Sequence, residues 1–269
     1  MKMKIFALLL TGALLLSACG SLPDLGLGGA AKATETLKLQ EIKPEPTRAI
    51  LPEVTALPEL TALPEETANP ESAFFRYEFE KDLNENWDLK VISGLEKQLE
   101  WSQDNGKLRI KTMPPNDVNF IFMNNKNTYK DVIVQAEVEN TGQFDNAFSL
   151  VCRATDAGWY EFRISSSVYY ELLRYDLYKK GDGGNAYTNF LEKRIGSPLI
   201  KTGPEKNVFS LSCVDNQITA FINGVQLYRE KRPLVIEDNT YGEGTIGFGF
   251  LGYGKVLDAT FDWVETIKP

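Results

Sequence analysis

From Lys107 onward the sequence alternates apolar and polar residues with a period of two, a rhythm that lines one face of a strand and that no helix can bury on one side. Lys107-Leu108-Arg109-Ile110-Lys111 alternates cleanly, and Val132, Val134, Ala136 and Val138 repeat the pattern. Phe148, Leu150 and Cys152 share a face, as do Tyr160, Phe162 and Ile164, and then Phe209, Leu211 and Cys213. Turn residues interrupt these runs at short intervals. Asp215-Asn216 is one such turn, and Asn223-Gly224, after residues 217–222, is the strongest hairpin signal in the chain. Ile246, Phe248 and Phe250 alternate with glycines, and residues 257–264 close the series. No long window has helical periodicity. The spacing predicts an all-β sandwich over residues 76–269.

The first 75 residues are of another kind. Lys2 and Lys4 precede an apolar run from Ile5 to Leu16, too short to span a membrane and right for the apolar part of an export signal. Leu16-Ser17-Ala18-Cys19 resembles the bacterial lipobox. That resemblance implies cleavage after residue 18, diacylglycerol on the Cys19 sulfur, and a chain anchored on the outer side of a bacterial membrane. Residues 19–75 then hold seven of the thirteen prolines. They include the recurring six-residue unit 55–60 (TALPEL), 61–66 (TALPEE) and 67–72 (TANPES). Proline fixes its own φ and extends the residue before it, and the adjacent glutamates repel one another. An extended, disordered tether is expected there.

Within residues 76–269, several stretches resemble the concanavalin A-like (laminin G-like) jelly-roll domains of bacterial envelope proteins, including the 3-keto-disaccharide hydrolase group. They are Gly106-Lys107-Leu108-Arg109-Ile110, Tyr129-Lys130-Asp131-Val132, Ser149-Leu150-Val151-Cys152-Arg153, Gly158 to Ile164, Asn207 to Cys213, Ile222-Asn223-Gly224 and Phe261-Asp262-Trp263-Val264. The resemblance implies a concanavalin A-like jelly-roll sandwich. It implies little about activity, because one sandwich hosts lectins, glycosidases and scaffolds.

The chemistry open to the chain is bounded by composition. It has no histidine, which removes Ser-His-Asp and Cys-His nucleophile systems and histidine-ligated metals. A net charge of −8 opposes nucleic-acid binding. Cys152 and Cys213, the cysteines left after lipidation of Cys19, read either as a disulfide of an exported domain or as two buried thiols. Alternation places Trp159, Glu161, Arg163 and Ser165 opposite the core set Tyr160, Phe162 and Ile164. Tyr169, Tyr170, Tyr175 and Tyr178 follow, and parity alone leaves open which face each of them takes. Aromatic rings beside carboxylates and guanidinium groups suit sugars, whose C–H faces stack and whose hydroxyls hydrogen-bond. Trp159, Glu161, Arg163, Tyr169 and Tyr175 are therefore the candidate glycan-binding set, with packing between or over sheets as the competing role.

Hydrolysis requires two carboxylates flanking one bond. The Glu-x-Asp-x-(x)-Glu strand of laminarinase-type enzymes is absent; Glu137 and Glu139 flank Val138 on one strand face, and Glu161 and Glu171 are candidates for neighbouring strands. A structural calcium ion is a further expectation, with Glu80 and Asp262 among the terminal acids as ligands; no other cofactor is expected. The sequence reading is thus a membrane-anchored, monomeric surface lipoprotein binding carbohydrate without catalysis. A glycoside hydrolase and an envelope scaffold are its alternatives.

Overall fold

The computed structural model describes residues 73–113, 117–141, 146–254 and 256–269. The export signal, Cys19 and the repeats of the tether lie outside the described residues. Two antiparallel sheets carry the fold. The first runs in the order β14 (Val225–Gln226), β13 (Gln217–Ile222), β12 (Lys206–Val214), β6 (Val132–Asn140), β19 (Asp258–Ile267), β4 (Lys107–Thr112) and β3 (Leu99–Asp104). Short strands β1 (Arg76–Tyr77) and β17 (Ile236–Glu237) join it on β19 and β13. The second runs β10 (Tyr187–Asn189), β9 (Tyr169–Asp176), β8 (Gly158–Ser165), β7 (Ala147–Ala154), β18 (Thr245–Gly252), β5 (Val118–Asn124) and β2 (Trp87–Ser93), with β11 (Ile195–Gly196) on β9. A small hairpin, β15 (Tyr228–Arg229) with β16 (Arg232–Pro233), stands outside both. Among the described residues the α-helix is a single five-residue piece, α1 (Leu177–Gly181).

Strand alternation fixes which side chains meet. β6 buries Val132, Val134, Ala136 and Val138 and leaves the residues between them half-buried, as the sequence rhythm predicts. Between the sheets these meet Phe120, Phe122, Phe148, Leu150, Phe162, Phe248, Phe250 and Phe261 in one core. Its rings meet at angles: Phe148 on Phe261 at 5.9 Å and 85°, Phe248 on Phe261 at 5.0 Å and 58°. Gly249 of β18 lets β5 approach, because a Cβ there would lie 2.3 Å from the Phe120 carbonyl. The Asn223-Gly224 turn has both residues left-handed, at φ 51° and 78°, the geometry that matches strand twist in a two-residue hairpin. The packing also takes in residues assigned to the tether. Phe75 donates its N–H to Thr266 Oγ1 (2.9 Å), and the Phe74 ring lies 5.6 Å from that of Tyr129.

The second sheet departs from simple alternation. β5 and β7 are buried at every residue, so this sheet is covered outside as well as inside. A second cluster lies on its outer face: Ile92, Ile121, Met123, Val151, Ala154, Trp159 and Tyr175.

Cys152 of β7 and Cys213 of β12 form a disulfide, with Cα atoms 6.6 Å apart. The bond clamps one sheet to the other and closes a loop across a sequence separation of 61. On the chain-entropy account this stabilises the fold by about 4 kcal/mol. The double variant Cys152→Ala/Cys213→Ala should therefore lose about 4 kcal/mol in chemical denaturation, partly through the small cavity left. A loss below about 1 kcal/mol would show that the clamp does not hold the sheets together.

Candidate functional site

The outer face of the second sheet carries the candidate residues. Register pairs Trp159 with Tyr175, Glu161 with Leu173 and Arg163 with Glu171, without a bulge between β8 and β9. Trp159, Glu161 and Arg163 thus point away from the core that holds Tyr160, Phe162 and Ile164, and Tyr169 and Tyr175 share their face. The face is the expected one, but its rings are covered. Trp159 is 1% exposed and Tyr175 2%, against 43% for Tyr169.

The covering is specific. The indole of Trp159 stacks on the Tyr175 ring at 3.9 Å and 13°, and the Lys90 ammonium sits 5.0 Å from its centroid. With a ring on one face and a cation over the indole, Trp159 is closed to a sugar in this arrangement, where it packs rather than presenting the open stacking surface expected from the sequence. Tyr187 meets Tyr175 edge-on at 5.0 Å and accepts a hydrogen bond from Asn119 Nδ2 at 3.1 Å.

Glu161 lies at the centre of this layer, 1% exposed. Its carboxylate accepts from Ser149 Oγ (2.6 Å), Trp159 Nε1 (3.1 Å) and Arg163 Nε and Nη2 (2.9 and 2.8 Å). The Arg163 guanidinium in turn lies 4.5 Å over the Tyr187 ring. Burial works to lower the pKa of Arg163, but the Glu161 carboxylate, together with Tyr187 and Tyr253, raises it above the ordinary value. Burial and the same carboxylate hold the Tyr187 phenol well above its ordinary range. This is a structural charge pair, saturated with partners and closed to substrate.

α1 follows β9 and reaches the opposite edge strand through one side chain. Asp176 caps α1 through Tyr178 N and Lys179 N (3.0 and 3.3 Å). Lys180 Nζ reaches the Ile92 carbonyl of β2, on the far edge of the sheet, at 2.8 Å. Beside this covered layer the face opens into a groove of about 710 Å³. Asp88, Lys90, Thr128, Thr155, Asp156 and Glu243 are among its lining residues, and Met123 and Ala154 join it to the apolar cluster. Asp88 accepts from Asn125 Nδ2 (3.0 Å) and Glu243 from Thr128 Oγ1 (3.3 Å). At the other end, Arg194 lies 3.5 Å from Glu171 and 5.4 Å from the Tyr253 ring centroid, beside exposed Tyr169. The groove residues sit in turns and strand ends that no local pattern ties together. Only Thr155-Asp156 and Asn125 to Thr128, each a polar cluster between strands, mark its rim in the sequence.

The terminal acids are occupied by cations of the protein itself. Asp262 is paired with Lys107 (3.1 Å) and Lys206, and Lys206 also meets Glu137 at 2.8 Å. Arg109 grips Asp258 with two bonds of 3.0 and 2.7 Å and holds its carboxyl below the ordinary value. Glu80 is exposed. Among the described residues no three or more acidic or cysteine side chains gather as a metal site.

The sequence matches no protein-family model and no curated protein. Solved structures with the same architecture do match. One is a prokaryotic β-1,3-1,4-glucanase (lichenase) derived from a mouse hindgut metagenome, 12% identical, with a TM-score of 0.51 over 73% of this chain and 99% of that one. The Bacillus licheniformis β-glucanase is 12% identical, with a TM-score of 0.50 over 74% and 100%. A Bacillus subtilis protein of unknown function with a galectin-like fold is 14% identical, with a TM-score of 0.50 over 74% and 98%. The fold is a concanavalin A-like jelly roll. At these identities the likeness shows the fold alone.

Glu161→Ala should destabilise the protein by about 3–5 kcal/mol, because it leaves the Arg163 charge buried without its partner. Urea denaturation of the variant tests this. A loss under about 1 kcal/mol would mean that the pair is not buried in solution.

Proposed function

We propose that the chain is a lipid-anchored surface protein whose jelly roll binds carbohydrate without catalysis, in the groove beside β2, β5 and β7. The observation that carries this reading is the groove itself. Its volume of about 710 Å³ suits a small-molecule ligand, and its lining mixes carboxylates, hydroxyls and one ammonium with the apolar side chains of Leu89, Met123 and Ala154. Sugars need that mixture, since each ring offers hydroxyls at its edge and C–H bonds on its face. Jelly rolls with glucanase activity share the architecture, which favours a glycan as the ligand class. Binding without hydrolysis is favoured because, among the described residues, the one buried acid on this face, Glu161, is paired with Arg163 and has no open path to a substrate.

A glycan array with the mature protein should give a hit, and Asp88→Ala/Asp156→Ala should weaken it tenfold or more, about 1.4 kcal/mol. No glycan bound, or binding untouched by the pair of substitutions, defeats the groove. Release of shorter sugars from the bound glycan would move the reading to a hydrolase.

Anchoring has its own test. Expressed with its first 18 residues, the wild type should partition with membranes and Cys19→Ser should not. Equal partition of both would remove the lipid anchor.

A further inference from the structure

The segment between β9 and β10 joins neighbouring strands that a two-residue turn could have joined, yet it runs from residue 177 to 186 and sends Lys180 to the far edge strand. Its base is pinned where Asp176 N donates to Ala186 O at 2.9 Å. Beyond that base it is held by single bonds, Leu177 N to Ala157 O at 2.9 Å and Lys179 Nζ to Thr188 Oγ1 at 3.2 Å, and its side chains are little buried. α1 contains no buried residue, and Leu177 and Tyr178 are 42% and 73% exposed. Gly183 takes φ 74°, a conformation glycine adopts at no steric cost, and an added Cβ at Gly181 or Gly183 would meet nothing within 4 Å. Ala186 packs on the Trp159–Tyr175 cluster, and Lys180 Nζ bonds the Ile92 carbonyl across it. The cluster that Ala186 and Lys180 touch holds the Trp159 and Tyr175 rings on an outward sheet face, continuous with the open groove through Met123 and Ala154.

We propose that residues 177–186 are a strap latched by Lys180, and that its release extends the groove over Tyr175 and Trp159 into a cleft for an extended glycan chain. The inference rests on the glycan reading for its ligand and on geometry alone for the strap. The closed state keeps the aromatic face dry and limits the groove to a short ligand. A longer chain displaces the strap and the Lys90 ammonium, and its sugar rings take the place those groups held against the aromatic side chains. The bond to Ile92 is made by a flexible lysine to a main-chain carbonyl, so its loss leaves the fold intact while shifting the balance between closed and open forms.

Lys180→Ala tests the strap without a ligand. Acrylamide quenching of the Trp159 emission, taken as the difference from the Trp159→Phe protein with and without Lys180→Ala, should rise several-fold when the latch is removed. Amide exchange of residues 177–187 should quicken, with the unfolding midpoint unchanged. Quenching and exchange equal to those of the wild type would overturn the strap. With mixed-linkage glucan oligosaccharides as probes, Lys180→Ala should tighten binding of the hexasaccharide several-fold and leave the disaccharide unchanged; an equal gain for both would overturn the extended cleft. If neither protein binds either sugar, the groove reading falls, and the quenching difference still decides the strap.

Discussion

A carboxylate buried on the outward face of a sheet loses its water and must be answered from within the protein, at a desolvation cost of several kcal/mol per ion when left alone. Glu161 is answered by Arg163, Ser149 and the Trp159 indole together. Much of the outer layer follows from that requirement. Bonding to Glu161 orients the indole, which stacks on Tyr175; Arg163, drawn to Glu161, comes to lie over Tyr187. Tyr187 of β10 then ties back to Asn119 on β5, across β9, β8, β7 and β18. A network of this kind rewards complete satisfaction and punishes a missing partner, so it specifies one arrangement of the face.

The same layer gives the second sheet its two-sided burial. The inner face packs a phenylalanine-rich core against the first sheet, and the Cys152–Cys213 disulfide clamps the two together. The outer face packs Ile121, Met123 and Val151 under the rings, so that β5 and β7 behave as interior strands. What stays open is the end of the face beyond this covering, where the turns after β5 and β7 and the start of β18 surround the groove. Binding chemistry on this molecule is thus a matter of where the packing stops.

The inner half of the structure was legible in the sequence. Period-two alternation placed Val132 to Val138 and Tyr160 to Ile164 inward, and the Asn223-Gly224 signal is a hairpin, because both depend on residues close in the chain. Parity also set Trp159, Glu161 and Arg163 on the correct face. Their burial was not legible, because it depends on partners far along the chain: Lys90 over the indole, Tyr187 over Arg163, and Lys180 on Ile92. One signal did exist, in the unbroken apolar character of residues 120–123 and 150–152, which a half-exposed strand does not have. The terminal acids show a related limit of local reading. Asp262 and Asp258 look free in sequence, and the fold brings Lys206, Lys107 and Arg109 to them from other strands.

In the resting protein this outward aromatic face is closed. Hydroxyl-radical footprinting of the unliganded chain, read residue by residue by mass spectrometry, tests it most directly. Tyr178 and Tyr228, at 73% and 52% exposure, should be modified quickly, and Trp159 and Tyr175 should stay protected to the degree seen for the core residue Trp87. Modification of Trp159 and Tyr175 at the rate of Tyr178 would contradict the account and return both rings to the open surface.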